Sequence, residues 1–143
     1  MSKILIATVA GAWLVPGLSA CSSKSSCTLV AGESSIIVEV ANLPAFARSG
    51  HSKLCIGTLC SEQALHADTT MLSLDDPALT APTPVTVTLT VTGQDGSALS
   101  FDQSQTVTPV KHQPNGAACA PTYYAAALTV TTDLKLAEAP KSP

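Results

Sequence analysis

Five cysteines and three histidines are the side chains best suited to chemistry here: Cys21, Cys27, Cys55, Cys60 and Cys119, with His51, His66 and His112. A thiol can attack, ligate a metal or close a disulfide, and spacing separates these uses. Cys55 and Cys60 stand with four residues between them, where redox and zinc motifs place two, so a redox or metal pair is the weaker rival of a structural disulfide. The carboxylates of Asp75-Asp76-Pro77 suggest acid–base or Ca²⁺ chemistry, but Asp-Asp-Pro more simply forms a turn or cap, because aspartate oxygens accept local backbone N–H groups. No Gly-x-Ser-x-Gly, His-Glu-x-x-His or phosphate loop occurs in the sequence, and such a motif is what a hydrolase or nucleotide enzyme would need. Neither an enzyme nor a bound cofactor is expected.

The element that positions Cys55 and Cys60 is legible from the residues between them. A two-residue turn at Gly57-Thr58, with glycine first as a type II′ turn requires, makes residues whose numbers sum to 115 face each other. Ile56 then pairs with Leu59, Cys55 faces Cys60 in a close non-hydrogen-bonded pair, and Lys53 lies opposite Glu62. Three features agree on one register, which assigns Cys55–Cys60 and, with Cys21 set aside below, leaves Cys27 with Cys119. The same register puts His51 opposite Ala64, with His66 diagonally beside it. A Cu²⁺ or Zn²⁺ site on His51 and His66, with His112 or an acid as third ligand, is the alternative functional reading, against solvated loop histidines.

The remaining pattern is that of strands. Val85, Val87, Leu89 and Val91 alternate with Thr86, Thr88, Thr90 and Thr92, the period of a strand with one buried face. Ile36, Val38 and Val40 mark a strand over 35–41, and 71–74 a short one. A return strand is predicted over 98–101 and 105–110 with a break between them. Tyr124, Ala126, Leu128 and Val130 make the last long strand, and Leu134 with Leu136 a short final pairing. Cys27 to Val30 reads as an edge strand, 45–50 as a loop with Phe46 tucked against the core, and Gln113-Pro114-Asn115-Gly116 as a turn. No long stretch has a helical period. The fold expected is all-β, an immunoglobulin-like antiparallel β-sandwich of about seven to eight strands, closed by a disulfide from its first strand to the loop before its penultimate one.

The fifth cysteine ends a different kind of segment. After Met1-Ser2-Lys3, the run from Ile4 to Gly17 carries no charge, the layout of a secretory signal. The polar Ser22-Ser23-Lys24-Ser25-Ser26 that follows is no basic stop-transfer cluster, which makes an uncleaved anchor the weaker reading. Leu18-Ser19-Ala20-Cys21 resembles the lipobox of bacterial lipoproteins. That resemblance implies a diacylglycerol thioether on Cys21, cleavage before it, and anchoring by acyl chains such as palmitate, each buried methylene contributing about 0.8 kcal/mol. The competing reading is an ordinary signal cut after Ala20.

The order of features resembles uncharacterised lipoproteins of actinobacterial type: a cysteine soon after the anchor, a Cys-x4-Cys hairpin, a Val-Thr-Val-Thr strand, then the loop Pro114-Asn115-Gly116-Ala117-Ala118-Cys119-Ala120-Pro121. The likeness implies the fold and the location, not an activity. It lacks the aromatic that such proteins often carry in the hairpin turn, which puts an aromatic-dependent role in doubt.

These readings divide the chain into a signal peptide (1–20), a lipid anchor, Ser-rich tether and first pairing segment (21–34), a β-sandwich domain (35–137) and a disordered tail (138–143). Removing residues 1–20 from the 143 leaves 123, a single-domain length. Loss of Lys3 takes the net charge from −3 to −4, and such mild acidity disfavours nucleic acid as a partner. The aromatics that stay are Phe46, Phe101, Tyr123 and Tyr124, few for a sugar-stacking surface. The function expected is a lipid-anchored, extracytoplasmic lipoprotein of the cell membrane or outer envelope. It would be a non-catalytic structural or interaction module, with the membrane and an envelope protein as its partners.

Overall fold

The computed structural model describes residues 27–94 and 101–140. The signal segment, Cys21 and the tether therefore lie outside the described residues, as does residue 98–100 of the expected return strand. Nine strands and no helix occur among the described residues: β1 (Ser35–Glu39), β2 (His51–Ile56), β3 (Leu59–Ala64), β4 (Met71–Asp75), β5 (Val85–Thr92), β6 (Phe101–Val107), β7 (Val110–His112), β8 (Tyr123–Val130) and β9 (Leu136–Glu138). They form two sheets, one ordered β3-β2-β5-β6 and the other β4-β1-β8-β7 with β9 also on β8.

Alternation of side chains builds the core between the two sheets. Ile36 and Val38 of β1, Leu72 and Leu74 of β4, and Leu128 and Val130 of β8 are buried, and so are Leu54 and Ile56 of β2, Val87, Leu89 and Val91 of β5, and Val107 of β6. On β5 the intervening threonines remain on the outer face, as the strict Val-Thr period requires. Ser52 is the one polar residue buried among the described residues, and its hydroxyl donates to the Gln63 carbonyl at 3.3 Å, which offsets the cost of burying it.

The structure departs from the expected sandwich at several places, each with a physical reason. The sheets are not wholly antiparallel: β1 pairs parallel with β8, Ile36 facing Ala126 and Val38 facing Leu128. A parallel pair needs a long crossover, here the intervening strands, and no local pattern announces it. Residues 27–30 form no strand; they are held by a side chain instead. The strand expected over 105–110 divides: β6 continues through the polar 102–104 and ends at Val107, and β7 begins at Val110 in the other sheet. Between them Pro109 is fully buried, and a proline, with no N–H to give a ladder, suits the point where the chain changes layers.

In the 45–50 loop Ala47 is the buried residue, at 2% exposure, whereas Phe46 is 48% exposed. Arg48 fixes that loop by donating to the carbonyls of Leu43 and Ala41. Leu134 does not pair; it takes a left-handed turn conformation, φ 59°, and only Leu136 enters the core. The tail expected from 138 begins inside a strand, since Glu138 pairs with Leu128 and the Ala139 N–H donates to Ala127 at 2.9 Å.

Candidate interaction surface

Both expected disulfides form, one fixed by the hairpin register and the other between the two cysteines it left over. Cys55 bonds Cys60 with 4.1 Å between Cα atoms, and Cys27 bonds Cys119 with 5.7 Å. The β2–β3 register pairs Ile56 with Leu59, Cys55 with Cys60, Lys53 with Glu62 and His51 with Ala64. Gly57 sits at φ +56°, the positive value that the first central position of a type II′ turn demands. The Lys53 ammonium lies 3.0 Å from Glu62. With all four sulfurs bonded, a thiolate redox or zinc site at Cys55 and Cys60 has no ligand to offer.

The three histidines do not form one ligand group. His51 opens β2 and is exposed; His66 is exposed in the turn after β3, where its backbone N–H donates to Thr69 Oγ1 at 3.0 Å. Of the third ligands considered, His112 lies on β7 of the other sheet, stacked on Tyr123 with ring centroids 5.2 Å apart. Among the described residues no group of three or more His, Cys, Asp or Glu side chains is placed to hold a metal ion. Asp76 has the turn role, its Oδ1 accepting the Ala78 N–H at 2.8 Å.

Asn115 does what its motif did not announce. Its Oδ1 accepts from Thr28 Oγ1 at 2.7 Å and from the Val30 N–H at 3.1 Å, while its amide nitrogen donates to the Val30 carbonyl at 3.0 Å and the Ala120 carbonyl at 2.6 Å. One side chain thus serves Val30 as a neighbouring strand would, and with Cys27–Cys119 it binds residues 27–30 to the loop between β7 and β8. The signal was present in Pro114-Asn115-Gly116, because asparagine side chains readily bond backbone groups, but the partner is 85 residues away.

The two outer faces differ. On the sheet with β5, Thr88 bonds Ser104 at 2.8 Å, Thr90 meets Asp102 at 3.4 Å, and the Lys53–Glu62 pair continues the polar array. On the other sheet the short β7 and β9 share one edge of β8, β7 beside Tyr123 to Ala125 and β9 beside Leu128 to Val130. A shallow slot of ≈ 820 Å³ opens between them, floored by Ala125, Ala126 and Ala127 and walled by Pro109, Val110 and Pro140. Lys111, His112 and Glu138 are its ionisable lining. Its floor is apolar, and Thr108 adds a hydroxyl to its lining.

No family model, curated protein or solved structure matches the chain. No helix among the described residues is long and apolar enough to cross a membrane.

Proposed function

We propose that the protein is a lipid-anchored lipoprotein of the cell envelope whose β domain serves as a non-catalytic structural or protein-interaction module. Cysteine accounting carries this reading. Cys27, Cys55, Cys60 and Cys119 are joined in two disulfides, so Cys21 is the one of the five cysteines in the sequence that these bonds leave over. It stands where Leu18-Ser19-Ala20-Cys21 resembles a lipobox, and disulfides are the chemistry of an oxidising, extracytoplasmic compartment. The two-layer core, with the chain crossing between layers, supports reading the sandwich as immunoglobulin-like. The alanine-floored slot on β8 is the surface that fits an envelope protein as partner, and the acidic balance argues against nucleic acid.

Expression in a bacterium with lipoprotein-processing machinery tests the anchor. Wild-type protein should enter the detergent phase on phase partition and carry the mass of a diacylglycerol on residue 21. Cys21→Ser should remain aqueous with both disulfides formed. An unmodified wild-type chain, or a Cys21→Ser domain that no longer folds, would sink the lipoprotein reading.

A further inference from the structure

We infer that one end of the sandwich, formed by residues 27–32 and the loop 113–121, rests on the bilayer, with Leu29 entering the interface; the inference rests on the lipid anchor proposed for Cys21. The first support is reach. Six Cα steps separate Cys21 from Cys27, and a fully extended chain spans at most about 3.6 Å per residue, so Cys27 is held within roughly 20 Å of the lipid-bearing residue. The tether cannot lengthen by peeling residues off the domain, because Cys27 is bonded to Cys119 and Asn115 holds Thr28 and Val30. The constraint therefore passes directly into the fold.

The second support is what that end presents. Leu29 is 100% exposed and Val30 49%, and Ala117, Ala118 and Ala120 are exposed on the loop beside them. A singly exposed leucine needs no explanation by itself; two aliphatic side chains two and three residues after Cys27, where the short tether ends, are placed to use the interface that the lipid has already reached. The third support is charge. Residues 27–32 and 113–121 include no Asp, Glu, Lys or Arg, although the whole chain carries ten acids. The two segments that would meet the headgroups therefore carry no carboxylate of their own to desolvate; the acids at this end of the sheet are Glu33 and the Asp75-Asp76 turn, whose Asp76 N–H bonds the Ser34 carbonyl. The opposite end lies farther from the anchor: β8 runs from Tyr123, next to the loop, to Val130, before the turn at 131–135, a separation of about 24 Å at ~3.4 Å per residue.

The only tryptophan of the precursor is Trp13, in the segment expected to be cleaved, so a single reporter can be placed at will. Full-length lipidated Leu29→Trp, Ala117→Trp and Thr132→Trp chains would be reconstituted into phosphatidylcholine–phosphatidylglycerol vesicles with and without brominated acyl chains. The first two should lose most of their emission to the brominated lipid and shift to shorter wavelength, and Thr132→Trp, in the distal turn, should do neither. Ala117→Trp keeps the test open if Leu29→Trp folds poorly. Vesicle flotation separates the two ideas: chains that float with the vesicles yet are quenched at neither 29 nor 117, or are quenched equally at 132, overturn the docking inference and leave the anchor standing. Chains that do not float overturn the anchor itself.

Discussion

The two sheets are assembled from contacts of different range, and the disulfides differ in the same way, one within a sheet and the other in the loops beside the second. The sheet ordered β3-β2-β5-β6 is two hairpins laid side by side, every neighbouring pair antiparallel, and its disulfide joins residues five apart. The sheet around β8 is gathered from both ends of the described chain. Its central β1–β8 pair is parallel, its edge is two three-residue strands, and the disulfide beside it joins residues 92 apart. Local pairing needs little loop closure, so a local cross-link adds a constraint that the turn already supplies. Distant pairing leaves a large closure entropy, which a long cross-link removes from the unfolded chain.

The largest test of that contrast is removal of each bond. By chain entropy Cys27→Ala with Cys119→Ala should cost about 4–5 kcal/mol and Cys55→Ala with Cys60→Ala about 2 kcal/mol. Urea unfolding of the two double variants reads both costs, and equal values would break the comparison. Asn115→Ala comes next, at about 1–3 kcal/mol for the hydrogen bonds lost and groups left unpaired. Amide exchange should accelerate first at Val30, whose N–H bonds the Asn115 carbonyl oxygen, and hardly at all in β2 and β5. Unchanged protection at Val30 would show that Cys27–Cys119 alone orders that segment.

The same division governs how much of the molecule is legible in its sequence. In the hairpin sheet, Gly57 in the turn, the two cysteines and the Lys53–Glu62 pair lie within ten residues and constrain one another, so the register can be read directly. The Val-Thr period of β5 and the Ile36-Val38 face of β1 are equally local signals. What the residues do not announce is distant: that Ile36 lies beside Ala126, that the chain changes layers at Pro109, that Asn115 reaches Val30. Phe46 was the more hydrophobic choice for the core, yet Ala47 is buried there, because backbone turns tied by Arg48 set which side chain faces inward. For the candidate surface, the lipidation proposed for Cys21 rests on its motif alone, whereas the slot on β8 exists because β7 and β9 are short and share an edge, which is a property of topology.

Smaller effects sharpen the contrast at the level of charge pairs. Lys53 and Glu62 are cross-strand neighbours with side chains half exposed or more, so a double-mutant cycle should give about 0.2–1 kcal/mol of coupling that falls as salt is added. A coupling insensitive to salt would mean that the pair acts through packing.

The smallest effect expected is at the turn between β8 and β9. There the Thr131 hydroxyl meets Asp133 Oδ1 at 2.5 Å and the Lys135 ammonium lies 3.2 Å from Oδ2. The Thr131 hydrogen bond first, then Lys135, hold the Asp133 carboxyl below the usual aspartate range. A depressed folded-state pKa favours the fold where the carboxylate is ionised; that contribution is present above the ordinary aspartate pKa and is lost as pH falls through it toward the lowered value. Because the group is exposed, the loss should be visible in its own titration more than in the stability of the domain. Carbon-detected NMR of the Asp133 carboxyl should show it titrating at lower pH in the wild type than in Thr131→Val. If both titrate alike, the turn is fixed by its backbone bonds, Thr131 N–H to Lys135 and Leu134 N–H to Thr131, and the side-chain pair is a consequence of that geometry.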